Sequence, residues 1–167
     1  MKISYQGQIL QEFDTLTRPL GIETAVWPID VLDGVLGLSA ESILETLSEP
    51  LSALKTRREY QTEDLVSLTS ETPNLEKILE AFAAPHYHTD DEVRICVAGS
   101  GIFTIYKTLD DSFDIFVEPQ DLIVVPAYTM HSFRLTEGRR ITALRVFKEN
   151  PRWEAVYEWP NPFEQSV

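Results

Sequence analysis

From Glu92 onward the chain sets short runs of Val, Ile, Phe and Thr between turn residues, and this rhythm predicts one strand after another. The predicted strands are residues 92–98, 102–107, 113–118, 122–125, 131–135 and 140–147. Gly99-Ser100-Gly101, Asp110-Asp111-Ser112 and Pro119-Gln120-Asp121 supply turns between them. Hairpins repeated without intervening helices argue against a parallel α/β sheet. They favour a mainly β fold, an antiparallel jelly-roll barrel closed around a cavity.

The first 85 residues have a different texture, mixed helix and strand with helical spacing dominant. Ser39 can cap a segment in which Ile43, Leu44 and Leu47 recur on one face, and Pro50 is expected to end or kink it. Leu51 and Leu54 extend that face towards Lys55, Arg57 and Arg58, whose charges suit a helix C-terminus. After Pro73, the residues Leu75, Ile78, Leu79 and Phe82 fall at i, i+3, i+4 and i+7, which predicts a short amphipathic helix ending before Pro85. Residues 148–167 carry Pro151, Pro160 and Pro162 and are expected to form a wrapping coil. With 167 residues, 43% of them apolar, a single domain over 1–167 is the expected organisation, with a barrel core at 86–147.

Periodicity acquires chemical meaning at the first barrel strand. His86, His88 and Glu92 share parity, so in an extended chain all three project to one face. The third and last histidine, His131, follows in Pro126-Ala-Tyr-Thr-Met-His131-Ser-Phe133. Two histidines in His-x-His spacing are commonplace, and a glutamate at a strand start is usually solvated. The conjunction of Glu92, Gly99 and the Pro126 to His131 segment makes a metal centre the better reading. Imidazole and carboxylate donors of this kind hold iron, nickel, manganese or zinc, and four of them leave two positions of an octahedral ion open for substrate. The same parity brings Arg94, Cys96 and, on the later strand, Phe133 to the cavity. Arg94 there suits an anionic ligand, and Cys96 reads as a small buried filler. Val93, Ile95 and Val97 then face outward and need a second apolar layer, for which the N-terminal helices are the obvious source.

Charge narrows the partners. Fourteen basic against 27 acidic residues give a net charge of -13, which repels phosphate backbones and anionic lipid. No nucleic-acid or membrane partner is expected. One cysteine excludes an intrachain disulfide and sulfur-rich metal sites. No signal-peptide pattern opens the sequence, and no apolar run approaches a bilayer-spanning length. A cytoplasmic protein, monomeric or weakly homo-oligomeric, is expected.

The stretch His86-Tyr-His-Thr-Asp-Asp-Glu92-Val-Arg94, with Gly99-Ser-Gly-Ile-Phe103 and Val125-Pro-Ala-Tyr-Thr-Met-His131-Ser-Phe133, resembles the acireductone dioxygenases, cupins of the methionine salvage pathway. The likeness extends upstream to Tyr60 and downstream to Trp153 and is weakest over residues 1–25 and the last few. It implies that His86, His88, Glu92 and His131 bind one iron(II) or nickel(II) per chain. It further implies that Arg94 contacts the substrate's enediolate oxygens, with Phe82, Phe133 and Trp153 around the substrate. That substrate would be 1,2-dihydroxy-3-keto-5-methylthiopentene, cleaved by dioxygen. Iron would give formate and 4-methylthio-2-oxobutanoate; nickel would give formate, carbon monoxide and 3-methylthiopropanoate. Tyr87 stands where the family usually has threonine, and Ser132 where tryptophan is common. Two other functions share the same residues: a cupin that binds a small anion on its metal without turnover, and a different dioxygenase or an isomerase on the same scaffold. Arg94 and Phe133 on the cavity face suit a small acidic, partly apolar ligand better than a sugar.

Overall fold

The computed structural model describes residues 1–12, 14–27, 39–149 and 154–159. Its elements run β1 (Lys2–Tyr5), β2 (Gln8–Leu10), α1 (Asp14–Thr17), β3 (Glu23–Val26), α2 (Ala40–Thr46), α3 (Ser48–Arg58), β4 (Thr62–Leu68) and α4 (Leu75–Ala83). The barrel strands follow: β5 (Glu92–Gly99), β6 (Gly101–Thr108), β7 (Asp111–Val117), β8 (Asp121–Val125), β9 (His131–Leu135) and β10 (Ile141–Phe147).

Ser39 caps α2 by accepting the Ser42 N–H at 3.2 Å. The helical run then divides at Leu47 rather than at Pro50, which lies in the first turn of α3. Proline is tolerated there because an N–H in that turn has no intrahelical acceptor to lose. Helix α4 starts after Pro73, as its spacing predicts, and presents Leu75, Ile78 and Leu79 to the barrel.

Two antiparallel sheets make the jelly roll, one in the order β2-β1-β7-β6-β9 and the other β3-β8-β5-β10-β4. Of the six C-terminal strands, only β6 and β7 are consecutive partners. The turn around Gly99 to Gly101 is therefore a corner between sheets, not the hairpin its sequence suggests. Gly99 has φ +73°, and a Cβ there would come within 2.2 Å of the Arg140 carbonyl oxygen. Only glycine lets the chain turn so close to its neighbour.

Alternation along β5 sorts its side chains between two cores. Val93, Ile95 and Val97 join Leu122, Val124, Leu144 and Val146 on the outer face. Ile43, Leu47, Leu51 and Leu54 of the N-terminal helices cover them. The opposite face looks into the barrel. There Cys96, Ile123, Ile141 and Ala143 meet Phe103, Ile105, Phe113 and Ile115 of the other sheet. Among the described residues no helix is long and apolar enough to cross a membrane.

Candidate metal centre

His86 to His88 is not part of a long strand, yet it is held from three sides. The His86 N–H donates to the His131 carbonyl at 2.9 Å, and the His131 N–H returns the bond at 2.8 Å. Tyr87 makes the same reciprocal pair with Val156, both bonds 2.9 Å, and the Tyr128 N–H donates to the His88 carbonyl at 2.8 Å. Backbone pairing thus seats the first two imidazoles against the third.

All three rings are buried, and one potential ligand atom from each lies within 4.8 Å of the others. Their Nδ1 atoms sit against backbone carbonyls: Ala84 for His86 at 2.8 Å, Glu154 for His88 at 3.1 Å and Thr129 for His131 at 2.7 Å. A carbonyl can only accept, so each Nδ1 carries the proton and each Nε2 keeps its lone pair. Burial also lowers the pKa of His86, keeping its ring neutral, and the neighbouring imidazoles act in the same direction.

Glu92 opens β5, and its Oε2 lies 2.8 Å from His131 Nε2 and 3.4 Å from His88 Nε2. The contact to His131 is not a hydrogen bond, and His131 Nε2 is a buried nitrogen with no such partner. A lone pair facing a carboxylate oxygen at that distance calls for positive charge between or beside them. A proton would answer for one ring. A divalent cation answers for three imidazoles and the carboxylate together, so the donor set fits a metal of the borderline kind.

Burial alone would raise the Glu92 pKa, but the Arg94 guanidinium holds the carboxyl well below its usual range. Arg94 stands 3.0 Å from Glu92 Oε1 and lines the same cavity. Burial pulls the guanidinium down to about 10, with Glu92 opposing and Arg145 assisting. It therefore stays charged at neutral pH.

The cavity has a volume of about 600 Å³ and runs between the sheets from the imidazoles to Asp121. Phe133 borders it, its ring 5.1 Å from that of Phe103 and seated on Gly101, where a Cβ would come within 2.4 Å. Phe82 of α4 meets Phe133 edge-on at 6.4 Å and is 38% exposed, so it sits at the rim. Cys96 lies farther in, where burial pushes its thiol up to about 12 and leaves it inert as a nucleophile. Trp153 lies outside the described residues.

Comparison with known proteins adds a family to this geometry. Residues 39–155 match the family model described as the ARD/ARD′ family. The chain belongs to the ARD/ARD′ family. An acireductone dioxygenase of Sulfurihydrogenibium sp. (strain YO3AOP1) is 40% identical over 154 residues, spanning 88% of this chain and 86% of the relative. The namesake from Bacillus subtilis (strain 168) is 41% identical over 118 residues, 71% of this chain and 66% of its own length. Among solved structures, an acireductone dioxygenase from Bacillus anthracis with a cadmium ion in its active centre superposes with a TM-score of 0.80 at 32% identity, covering 93% of this chain and 97% of that one. ARD/ARD′ membership places the chain among metal-binding dioxygenases of cupin fold.

The two departures from the ARD/ARD′ pattern point elsewhere. The Tyr87 ring lies 5.6 Å from that of Tyr128, tilted by 42°, and the Ser132 hydroxyl sits 3.2 Å from the Tyr106 hydroxyl. Neither lines the cavity.

Sequence reasoning missed Arg145, Tyr157 and Glu154, all of which border the cavity. Arg145 is the cross-strand partner of Arg94, and its guanidinium makes a two-pronged contact with Asp64 of β4 at 2.6 and 2.5 Å. Strand parity along 140–147 could have found it, since Arg145 alternates with Leu144 and Val146 of the outer core. Tyr157 lies 5.8 Å from the His86 ring. No periodicity in the proline-rich tail could have placed it or Glu154.

Proposed function

We propose that this protein cleaves the acireductone 1,2-dihydroxy-3-keto-5-methylthiopentene with dioxygen, using one iron(II) or nickel(II) held by His86, His88, Glu92 and His131, as a step of methionine salvage. The observation that carries this reading is the convergence of three buried Nε2 lone pairs and one carboxylate beside a cationic wall. When bound, the ion supplies Lewis acidity towards the two oxygens of a chelating enediol.

The chain's own residues account for the rest of the recognition. Arg94 offsets anionic charge on the substrate oxygens, and its contact with Glu92 fixes the guanidinium beside the donor set. Arg145, tethered by Asp64, adds a second cation on the neighbouring strand. Phe133 and Phe82 offer an apolar surface suited to the methylthio tail. Backbone carbonyls on all three Nδ1 atoms prevent the rings from turning.

Both product sets balance against substrate plus one dioxygen. Iron would yield formate and 4-methylthio-2-oxobutanoate, and nickel would yield formate, carbon monoxide and 3-methylthiopropanoate. The test is to load purified protein with iron(II) or nickel(II), mix it anaerobically with the enediol and then admit oxygen. Metal-dependent loss of the enediol, with formate in both cases and carbon monoxide only with nickel, is expected. Decay no faster than with metal-free protein overturns the reading.

A further inference from the structure

Between His88 and Glu92 stands Asp91, whose carboxylate gathers donors from three distant parts of the chain. Its Oδ2 accepts the Tyr60 hydroxyl at 3.1 Å and lies 3.2 Å from Lys148 Nζ. Its Oδ1 accepts the backbone N–H of Ala127 at 3.2 Å. The side chain is 15% exposed, so these contacts replace most of its water. Charge-assisted bonds of this kind are the stronger class, and three of them offset the loss of hydration.

The placement of these groups gives the cluster its significance. Tyr60 precedes β4, Asp91 precedes β5, Ala127 follows β8 and Lys148 follows β10, so one carboxylate ties together four strand ends at one end of a sheet. Two of those connections lead straight to the imidazole cluster. Asp91 adjoins Glu92, while Ala127 lies in the segment that delivers His131 and whose Tyr128 N–H bonds the His88 carbonyl. Both Asp91 oxygens are engaged with these donors and not with the histidines.

We propose that Asp91 is a positioning residue for metal binding, fixing the separation between the Glu92 strand and the segment that carries His131. Tyr60 and Lys148 hold the carboxylate so that its free lone pairs meet Ala127. The inference rests on the reading of the four donors as a metal site. Outer partners of this type commonly change metal affinity by about 10- to 100-fold without supplying a ligand atom.

Metal-free protein is titrated with nickel(II) against a chromophoric chelator. The visible spectrum of the cobalt(II)-loaded protein and the unfolding temperature of the metal-free protein are recorded beside it. Asp91→Asn is expected to weaken nickel binding about tenfold or more and to shift the cobalt bands, because the donors no longer meet at one spacing. A purely structural role would lower the unfolding temperature and leave both readouts alone. Nickel affinity within about twofold of the parent, with an unchanged cobalt spectrum, overturns the proposal. Should Asp91→Asn fail to fold, the pair Tyr60→Phe with Lys148→Met frees the same carboxylate. A severalfold loss of nickel affinity is expected there, and an unchanged affinity again overturns it. If the parent protein itself binds no nickel or cobalt, it is the metal reading that fails.

Discussion

Arg94 carries two neighbours that pull in opposite directions. Glu92 lies 3.0 Å from its guanidinium, while Arg145 stands opposite it on β10. The pair of cations is tolerable only because a carboxylate flanks it on each side, Glu92 beside Arg94 and Asp64 beside Arg145, in a row of four charges across β5, β10 and β4. An anionic ligand meeting this row gains from both guanidiniums, but Arg94 is the one beside the donor set. Replacing it should therefore separate substrate handling from metal binding. Arg94→Ala is expected to retain its metal and to lose about a hundredfold or more in kcat/KM, the scale of losing one aligned donor to developing negative charge. Lysine should recover only part of this, since a point charge cannot reproduce the planar fork. Metal analysis and steady-state kinetics on the two variants check the assignment, and parental kinetics in Arg94→Ala would remove it.

At the scale of elements, the corner between β5 and β6 shows how a sheet switch is built. Gly99 and Gly7 both have φ near the left-handed region, +73° and +77°, but nothing lies within 4 Å of a Cβ at Gly7. Gly7→Ala should cost only the conformational penalty, about 1 kcal/mol. Gly99→Ala adds a clash with the Arg140 backbone, which cannot swing aside without breaking the β5–β10 pairing, and should cost about 3 kcal/mol or more. Equal losses in denaturant unfolding would mean that the corner relaxes. This corner also marks where sequence reading stops. Runs of β-branched and aromatic residues between turn residues located β5 to β10 to within a residue or two, and strand parity then assigned Arg94 and Phe133 to the cavity. Which strands pair is not a local property, so the Gly99 turn reads as a hairpin. In the N-terminal third, β4 has mixed burial along its whole length, and β1, β2 and β3 span only three or four residues, too short to show a period. Their existence depends on edges offered by β7, β8 and β10.

For the whole molecule, the imidazole cluster gathers side chains from both sheets and from the segment that precedes β5. His131 opens β9 of one sheet, Glu92 opens β5 of the other, and His86 and His88 lie in the segment between α4 and β5, paired with the tail at Val156. A cation bound by all four donors would cross-link both sheets and the tail, so binding should appear as global stability. Nickel(II) at about 100 times its dissociation constant is expected to add about 2.7 kcal/mol, a rise of roughly 5–10 °C in unfolding temperature for a chain of this size. His131→Ala separates this linkage from packing. In metal-free protein the variant loses a buried ring but also removes an unpaired nitrogen held 2.8 Å from a carboxylate oxygen. Its unfolding temperature should therefore fall less than that of Leu144→Ala, where a fully buried apolar side chain is lost at about 2–5 kcal/mol with no such relief. Nickel separates the two: Leu144→Ala keeps the full metal-induced rise, and His131→Ala keeps little of it. Thermal unfolding of both variants with and without nickel decides the matter, because an undiminished rise in His131→Ala would exclude His131 as a ligand.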